Sequence, residues 1–427
     1  MSEREEALKK DRERERRKAE QRLKREAEVK KEIIKLGIIG SIAVICLIIG
    51  ITTAVKWSKK RAADAAEAEV KRQEEEFIKD QEENTIELVA VGDNLVHDRL
   101  YKSGMSETGE WNYDRIYDHV RDDIKNADLG IVTQETIFVK DRENLSGYPT
   151  FGTPPEFGNA LVNAGFDVVA HASNHCLDKG TDAIAFTMDW WKKNHPEVTV
   201  LGVHDSVEDS EAVKLVKCKA LTLGFVDYTY GLNDIPIPEG KEYMIDVWEE
   251  EKVRNNIRKA KEQADVVIAV MHVGEEYNPD VDEMTRNWVD VFLEEGVDLV
   301  IGSHPHIVRT METLVGEDGH KMLVYYSLGN FISTQKDIPS LMGAMAKITI
   351  RRDLKTGEIQ IPEHEFIPLI MHYNHEEKDY QIYKLEDYTE ELANRHSAKE
   401  EHPEEFNIQY YKDFFEELKA KGNDQGI

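Results

Sequence analysis

The stretch DLVIGSHPH, residues 298–306, decides the reading of this chain. Leu299, Val300 and Ile301 form a short apolar run, and two histidines follow it, His304 and His306, separated by Pro305. Such a run reads as a buried parallel strand, and ligands of open α/β sheets gather beyond the carboxyl ends of their strands. Two imidazoles held there by a proline are placed to approach a metal from one side. Burying both in a core would require a polar partner for each ring.

Three further segments repeat the pattern. LVAVGDN (88–94) ends on Asp93, DVVAHASNH (167–175) on Asn174 and His175, and DVVIAVMH (265–272) on His272. Glu135 follows another apolar run in ADLGIVTQET (127–136). Carboxylate, amide oxygen and imidazole arriving from separate strand ends are the mixed O/N donor set that hard or borderline divalent metals select. Taken singly, each has a plainer reading. Gly92-Asp93 is a common strand-to-loop turn, Glu135 a surface carboxylate or helix cap, and His171 a structural histidine. Asp178 either orients an imidazole or caps the helix after it, Glu276 lines a cleft or a solvated loop, and Gly329-Asn330 reads as a tight turn. His175, beside Asn174, suits a proton donor to a leaving oxygen.

Strands are expected near 86–91, 129–132, 167–170, 199–201, 220–226, 266–271, 299–301 and 323–326, with helices over 113–126, 155–164, 180–194, 247–263 and 281–295. Alternation of this kind predicts a layered α/β fold. After Gly343 two alternating runs around a turn predict an antiparallel hairpin, and residues 404–420 carry an amphipathic helical pattern.

Upstream, Leu36–Val55 is 20 residues without a charge. At about 1.5 Å per residue it is long enough for the hydrocarbon core of a bilayer. Positions 16–35 hold nine Lys/Arg against six in 56–75, which predicts a cytoplasmic N-terminus and an extracytoplasmic main domain. Residues 58–83, rich in Ala, Glu and Lys, predict a helical stalk. The expected organisation is a charged segment (1–35), an anchor (36–55), a stalk (56–84), a main domain (85–375) and an acidic extension (376–427). Residues 1–60 are net +7, from 17 basic and 10 acidic side chains, so with −29 overall the rest carries −29 − 7 = −36. An exterior that acidic excludes a nucleic-acid partner. No GxSxG, GxxxxGK[ST] or GxGxxG motif and no CxxC pair is present.

Laid in order, Gly92-Asp93, Thr133-Gln134-Glu135, Ala172-Ser173-Asn174-His175 with Asp178 and Gly180, His272-Val273-Gly274 with Glu276-Tyr277, His304-Pro305-His306 and Tyr326–Phe331 (YSLGNF) make the chain closely resemble the CapA family of poly-γ-glutamate capsule synthesis proteins. The match runs over roughly residues 86–335. The resemblance implies a calcineurin-like metallophosphoesterase-like α/β/β/α sandwich, here preceded by a transmembrane helix and a stalk. It implies two divalent ions (Mn, Fe or Zn): Asp93 and His306 on one, Glu135 bridging, and Asn174, His272 and His304 on the other, with His175 facing the substrate. It further implies an anionic polymer or phosphoester substrate and membrane synthase subunits as partners. Metallophosphoesterases usually begin with Asp-x-His; here Leu95 occupies the histidine position, and His97 is a candidate substitute. Glu135 replaces the usual Asp, and Thr133, Gln134 and Ser173 replace the family's Asn, Leu and Asn. Three readings follow: a metal-dependent hydrolase, a non-catalytic polymer-handling subunit, or a scaffold whose histidines serve only the fold.

Overall fold

A computed structural model describes residues 3–106 and 108–422, so residues 1–2, 107 and 423–427, including the outer end of each expected terminal segment, lie outside it. The chain divides into two compact units, residues 1–79 and 80–427.

The first unit is helical. One continuous helix runs Glu3–Glu83, with no buried residue. Ion pairs one turn apart, such as Arg72–Glu69 at 2.8 Å, line its charged portions. Leu36, Ile42, Leu47 and Ile51 are all more than half exposed on the apolar portion. This helix is long and apolar enough to span a membrane.

The second unit is built on two β-sheets. Its strands are β1 (Thr85–Asn94), β2 (Leu129–Thr133), β3 (Val168–Ala170), β4 (Thr199–Leu201), β5 (Lys214–Cys218), β6 (Leu221–Thr229), β7 (Val266–His272), β8 (Leu299–Ser303), β9 (Met311–Val315), β10 (Lys321–Tyr325), β11 (Asn330–Ile332), β12 (Met342–Arg352), β13 (Ile359–Asn374) and β14 (Asp379–Lys384). The first sheet has the order β14-β13-β12-β1-β2-β3-β4, with β11 also on β1; the second has β5-β6-β7-β8-β10-β9. Strands β1 to β4 are parallel to one another, as are β6, β7, β8 and β10.

Burial patterns follow from the layering. Strands β2, β3, β7 and β8 are buried along their whole length, as their Val/Ile/Leu-rich runs require. Ala90, Val91, Leu223, Ile268 and Ile301 join one core that both sheets share, and Phe157, Leu161, Ile184 and Trp191 of the helices Glu156–Ala164 and Gly180–Asn194 extend it. A separate cluster holds Val267, Ala269 and Val300 with Val253 and Ile257 of the helix Glu250–Lys261 and Trp288 and Phe292 of the helix Glu283–Glu294. The architecture is the expected α/β/β/α sandwich.

Local outcomes differ in places. The segment expected to be one helix over 113–126 is a 3₁₀ turn, Asp114–Tyr117, and a short helix, Arg121–Lys125. Arg121 Nη2 donates to the carbonyl of Asp114 at 2.6 Å, drawing it out of a helical ladder. The hairpin after Gly343 is β12 with β13, paired antiparallel. Beyond it β14, inside the segment read as an acidic extension, adds an edge strand to the first sheet. The amphipathic helix forms over Ile408–Lys421, and Tyr411 and Leu418 reach the shared core. Cys176 and Cys218 are free thiols.

Candidate metal centre

The parallel strands of both sheets deliver their carboxyl ends to one place. Strand β1 gives Asp93, the loop after β2 gives Glu135, the loop after β3 gives Asn174 and His175, β7 ends on His272, and the loop after β8 carries His304 and His306. All seven side chains are buried, and Asp93, Glu135 and His272 are fully enclosed.

Asp93 is placed by its glycine. A Cβ at Gly92 would lie 1.9 Å from the carbonyl oxygen of Gly329, so only glycine lets β1 approach that segment. The Asp93 amide donates to this carbonyl at 2.9 Å. The carboxylate then accepts the backbone N–H of His304 at 3.0 Å through Oδ2, which ties β1 to the HPH loop. That loop is strained: His304 has φ +96° and His306 φ +60°, left-handed values that side chains with a Cβ rarely adopt. Ser327 Oγ donates to the Ile307 carbonyl at 2.8 Å and Tyr277 N to the Pro305 carbonyl at 2.9 Å, holding the loop in place.

Distances within the group are short. His272 Nδ1 is 3.5 Å from Asp93 Oδ1, and His272 Nε2 is 3.7 Å from Glu135 Oε1. His306 lies 3.7 Å from Asp93 Oδ2 and 3.9 Å from Glu135 Oε1. His272 Nε2 meets Asn174 Oδ1 at 2.8 Å, and its Nδ1 meets Ser303 Oγ at 3.0 Å. His306 Nδ1 faces Asn330 Oδ1 at 3.1 Å, so Asn330 orients a ring besides opening β11. Glu276, exposed on the loop after β7, has a carboxylate oxygen within 4.8 Å of a ring nitrogen of both His304 and His306.

The electrostatics of the group call for a cation. Burial pushes the Asp93 carboxyl up to about 7 and that of Glu135 well above the carboxylate range, the latter with help from the Asp93 charge. Burial also holds His272 and His304 well below the ordinary imidazole value and His306 down at about 3. Asp93 Oδ1, both carboxylate oxygens of Glu135 and His304 Nδ1 are buried without a hydrogen-bond partner. Unpaired carboxylate oxygens beside lone-pair-bearing imidazoles are the donor set of a divalent metal, so the residues present fit the ion the motifs imply.

Other expected positions resolve as follows. Asp178 Oδ2 sits 2.8 Å from His175 Nδ1 and also accepts the Phe151 N–H, so it orients the imidazole rather than capping the helix. His171 accepts the indole N–H of Trp191 at 3.1 Å and is structural. His97, the candidate substitute for the missing imidazole, is engaged on one side: its Nδ1 accepts the Thr334 N–H at 3.2 Å. Leu95 is buried in the position it occupies. Two of the departures from the family pattern are satisfied locally, whereas Thr133 Oγ1 is buried without a hydrogen-bond partner. Gln134 accepts from Asn94 Nδ2 and donates to the Thr136 carbonyl, while Ser173 Oγ donates to the carbonyl of Glu135 at 2.6 Å.

Some participants carried no sequence signal. Asn233 accepts from Asn174 Nδ2 at 3.2 Å and lies 3.3 Å from His175 Nδ1. Fully buried Arg309 grips the carbonyls of Glu275 and Asn278 and the carboxylate of Asp282. An asparagine in a Gly-Leu-Asn-Asp turn and an arginine after a strand look like ordinary loop residues.

An α/β/β/α sandwich that gathers carboxylates and imidazoles at the strand ends of two sheets is a metallophosphoesterase-like fold. A family model for the bacterial capsule synthesis protein PGA_cap matches residues 87–335, and the chain belongs to that family. Among curated proteins it is 25% identical over 217 residues to the PGA biosynthesis protein CapA of Bacillus subtilis (strain 168), covering 49% of this chain and 53% of that one. It is 24% identical over 270 residues to the capsule biosynthesis protein CapA of Bacillus anthracis, covering 60% and 62%. The chain thus spans between about half and three-fifths of the length of these curated relatives. Among solved structures it is similar to the calcineurin-like phosphoesterase YfkN from Bacillus subtilis, at 12% identity and a TM-score of 0.36, over 79% of this chain and 99% of that one.

Proposed function

We propose that this chain is a membrane-anchored protein whose main domain is extracytoplasmic and acts in the synthesis or export of an anionic surface polymer of poly-γ-glutamate type. In this reading the domain carries a metal-dependent hydrolase site, and its partners are the membrane and subunits of a membrane synthase. Glu135 carries the proposal: its two buried oxygens lack a hydrogen-bond partner while imidazoles from the second sheet face it.

Asp93, Glu135 and His306 would hold one divalent ion, and Asn174, His272 and His304 a second, with Glu135 between them. When bound, such ions supply Lewis acidity that polarises a phosphoryl oxygen and acidifies water. The remaining work falls to the chain. His175 Nδ1, engaged by Asp178, leaves Nε2 free to hold a proton for a leaving oxygen. Phe151, edge-on to that ring at 4.7 Å, limits its rotation and screens it from water.

The test is turnover of a phosphodiester and of poly-γ-glutamate by the full chain with Mn, Fe or Zn. Turnover that chelator abolishes supports the hydrolase. Buried Leu95 in place of an imidazole favours the other reading, a non-catalytic polymer-handling subunit, and no turnover with any of the three metals would select it.

A further inference from the structure

We infer that Glu276 is itself a metal ligand and supplies to the His306 side of the centre the donor that Leu95 withholds. This rests on the metal-centre reading above and assigns to Glu276 a role that the motif match does not. Its carboxylate oxygen and one ring nitrogen each of His304 and His306 lie within 4.8 Å of one another, while Asp93, Glu135 and His306 form a second such group. His306 belongs to both, so the two groups are contiguous. The Nδ1 of His304, 2% exposed, has no partner in the fold, an unmet donor inside the same cluster.

The loop carrying Glu276 is built to hold one position. Gly274 has φ +128° and Tyr277 φ +61°, so the backbone bends sharply on either side of Glu276. Arg309 fixes the flanking carbonyls, donating to Glu275 O at 2.9 Å and to Asn278 O at 3.0 Å. Tyr277 N donates to Pro305 O at 2.9 Å, tying this loop to the HPH turn. Gln335 closes the circuit: its Nε2 donates to Tyr277 Oη at 3.1 Å, and its Oε1 accepts from Asn330, whose Oδ1 faces His306. A solvated loop would need no such bracing. Among the described residues no Lys or Arg pairs with Asp93, Glu135 or Glu276, so three carboxylates converge on imidazoles and not on a fixed cation.

The experiment is Mn²⁺ binding to the full chain in detergent, read as stoichiometry by calorimetry and by elemental analysis after gel filtration. Wild type should take two Mn²⁺ per chain and Glu276→Gln one, with the melting temperature in chelator unchanged because the isosteric amide keeps the loop. Glu276→Asp, which retains the charge, should recover the second ion at an affinity lowered about tenfold or more. Two ions on Glu276→Gln, or only one on wild type, would overturn the inference while leaving a metal centre in place. No Mn²⁺ on wild type would overturn the metal-centre reading and this inference with it.

Discussion

His272 Nε2 lies 2.8 Å from Asn174 Oδ1, joining the end of a strand in the second sheet to a loop of the first. Asn174 Nδ2 in turn donates to Asn233, so the amide oxygen is held toward the imidazole and the carboxylates. The centre is therefore assembled only when the two sheets pack, and changes to it separate into those acting on the metal, on protons and on the packing.

Proton handling is assigned to His175. A general acid contributes about 10²–10⁴-fold to rate. His175→Ala should lower turnover by that factor while metal content and melting temperature stay near wild type. A His175→Ala variant of unchanged rate would remove the residue from the chemistry.

Packing at the β1 end rests on Gly92. With a Cβ 1.9 Å from Gly329 O, Gly92→Ala must push the two segments apart. The expected cost is about 1–3 kcal/mol, seen as an earlier denaturation midpoint, together with weaker metal binding as Asp93 moves. A midpoint equal to wild type would show that the close approach is not required.

A buried network away from the centre gives a pH dependence. His204 is held by Asp246 at 2.8 Å and by Asp209 at 3.3 Å. Burial opposes its charge, but these two carboxylates win and raise its pKa above the usual imidazole value of 6.5. Although burial works against them as well, hydrogen bonds to His204 pull Asp209 and Asp246 below 3.8, assisted by Lys214 and Lys252. A raised imidazole contributes stability that is complete below pH 6.5 and fades as pH rises through the folded value; the lowered carboxylates contribute above 3.8 and fade in acid. The network is thus strongest near pH 5. His204→Gln should cost about 3 kcal/mol there and progressively less above neutrality, as followed by urea unfolding across pH. A pH-independent difference would contradict the charged network.

Much of this was legible in the sequence. Strands β2, β3, β7 and β8 announced themselves as Val/Ile runs because both their faces are buried. The ligand candidates stood at their ends because parallel strands point their carboxyl ends one way. Strands β5, β9 and β14 were missed; all three lie at sheet edges and mix polar with apolar residues, as in Lys214–Cys218, and in β14 even the buried positions include Asp379 and Gln381. The broken helix after Tyr113 was hidden because its interruption depends on Arg121 reaching back to Asp114. Asn233 and Arg309 escaped for the same reason: their partners, Asn174 and the 275–282 loop, are neighbours only after folding.

Membrane topology has its own test. With Leu36–Val55 as an uncleaved anchor and the N-terminus inside, protease added to intact cells should remove the main domain and leave a short membrane-bound stub. A domain protected until the cells are lysed would reverse the orientation.

The central claim is that Asp93, Glu135, Asn174, His272, His304 and His306 form a metal centre, and elemental analysis of the purified full chain tests it most directly. Binding must displace the proton that burial favours on Asp93, so affinity should climb as pH rises through about 7. At pH 8 the account predicts Mn, Fe or Zn at one or more equivalents in wild type, largely lost in His304→Ala. It also predicts that the variant melts below wild type in metal-containing buffer but with it in chelator. Equal metal content in wild type and His304→Ala would contradict it.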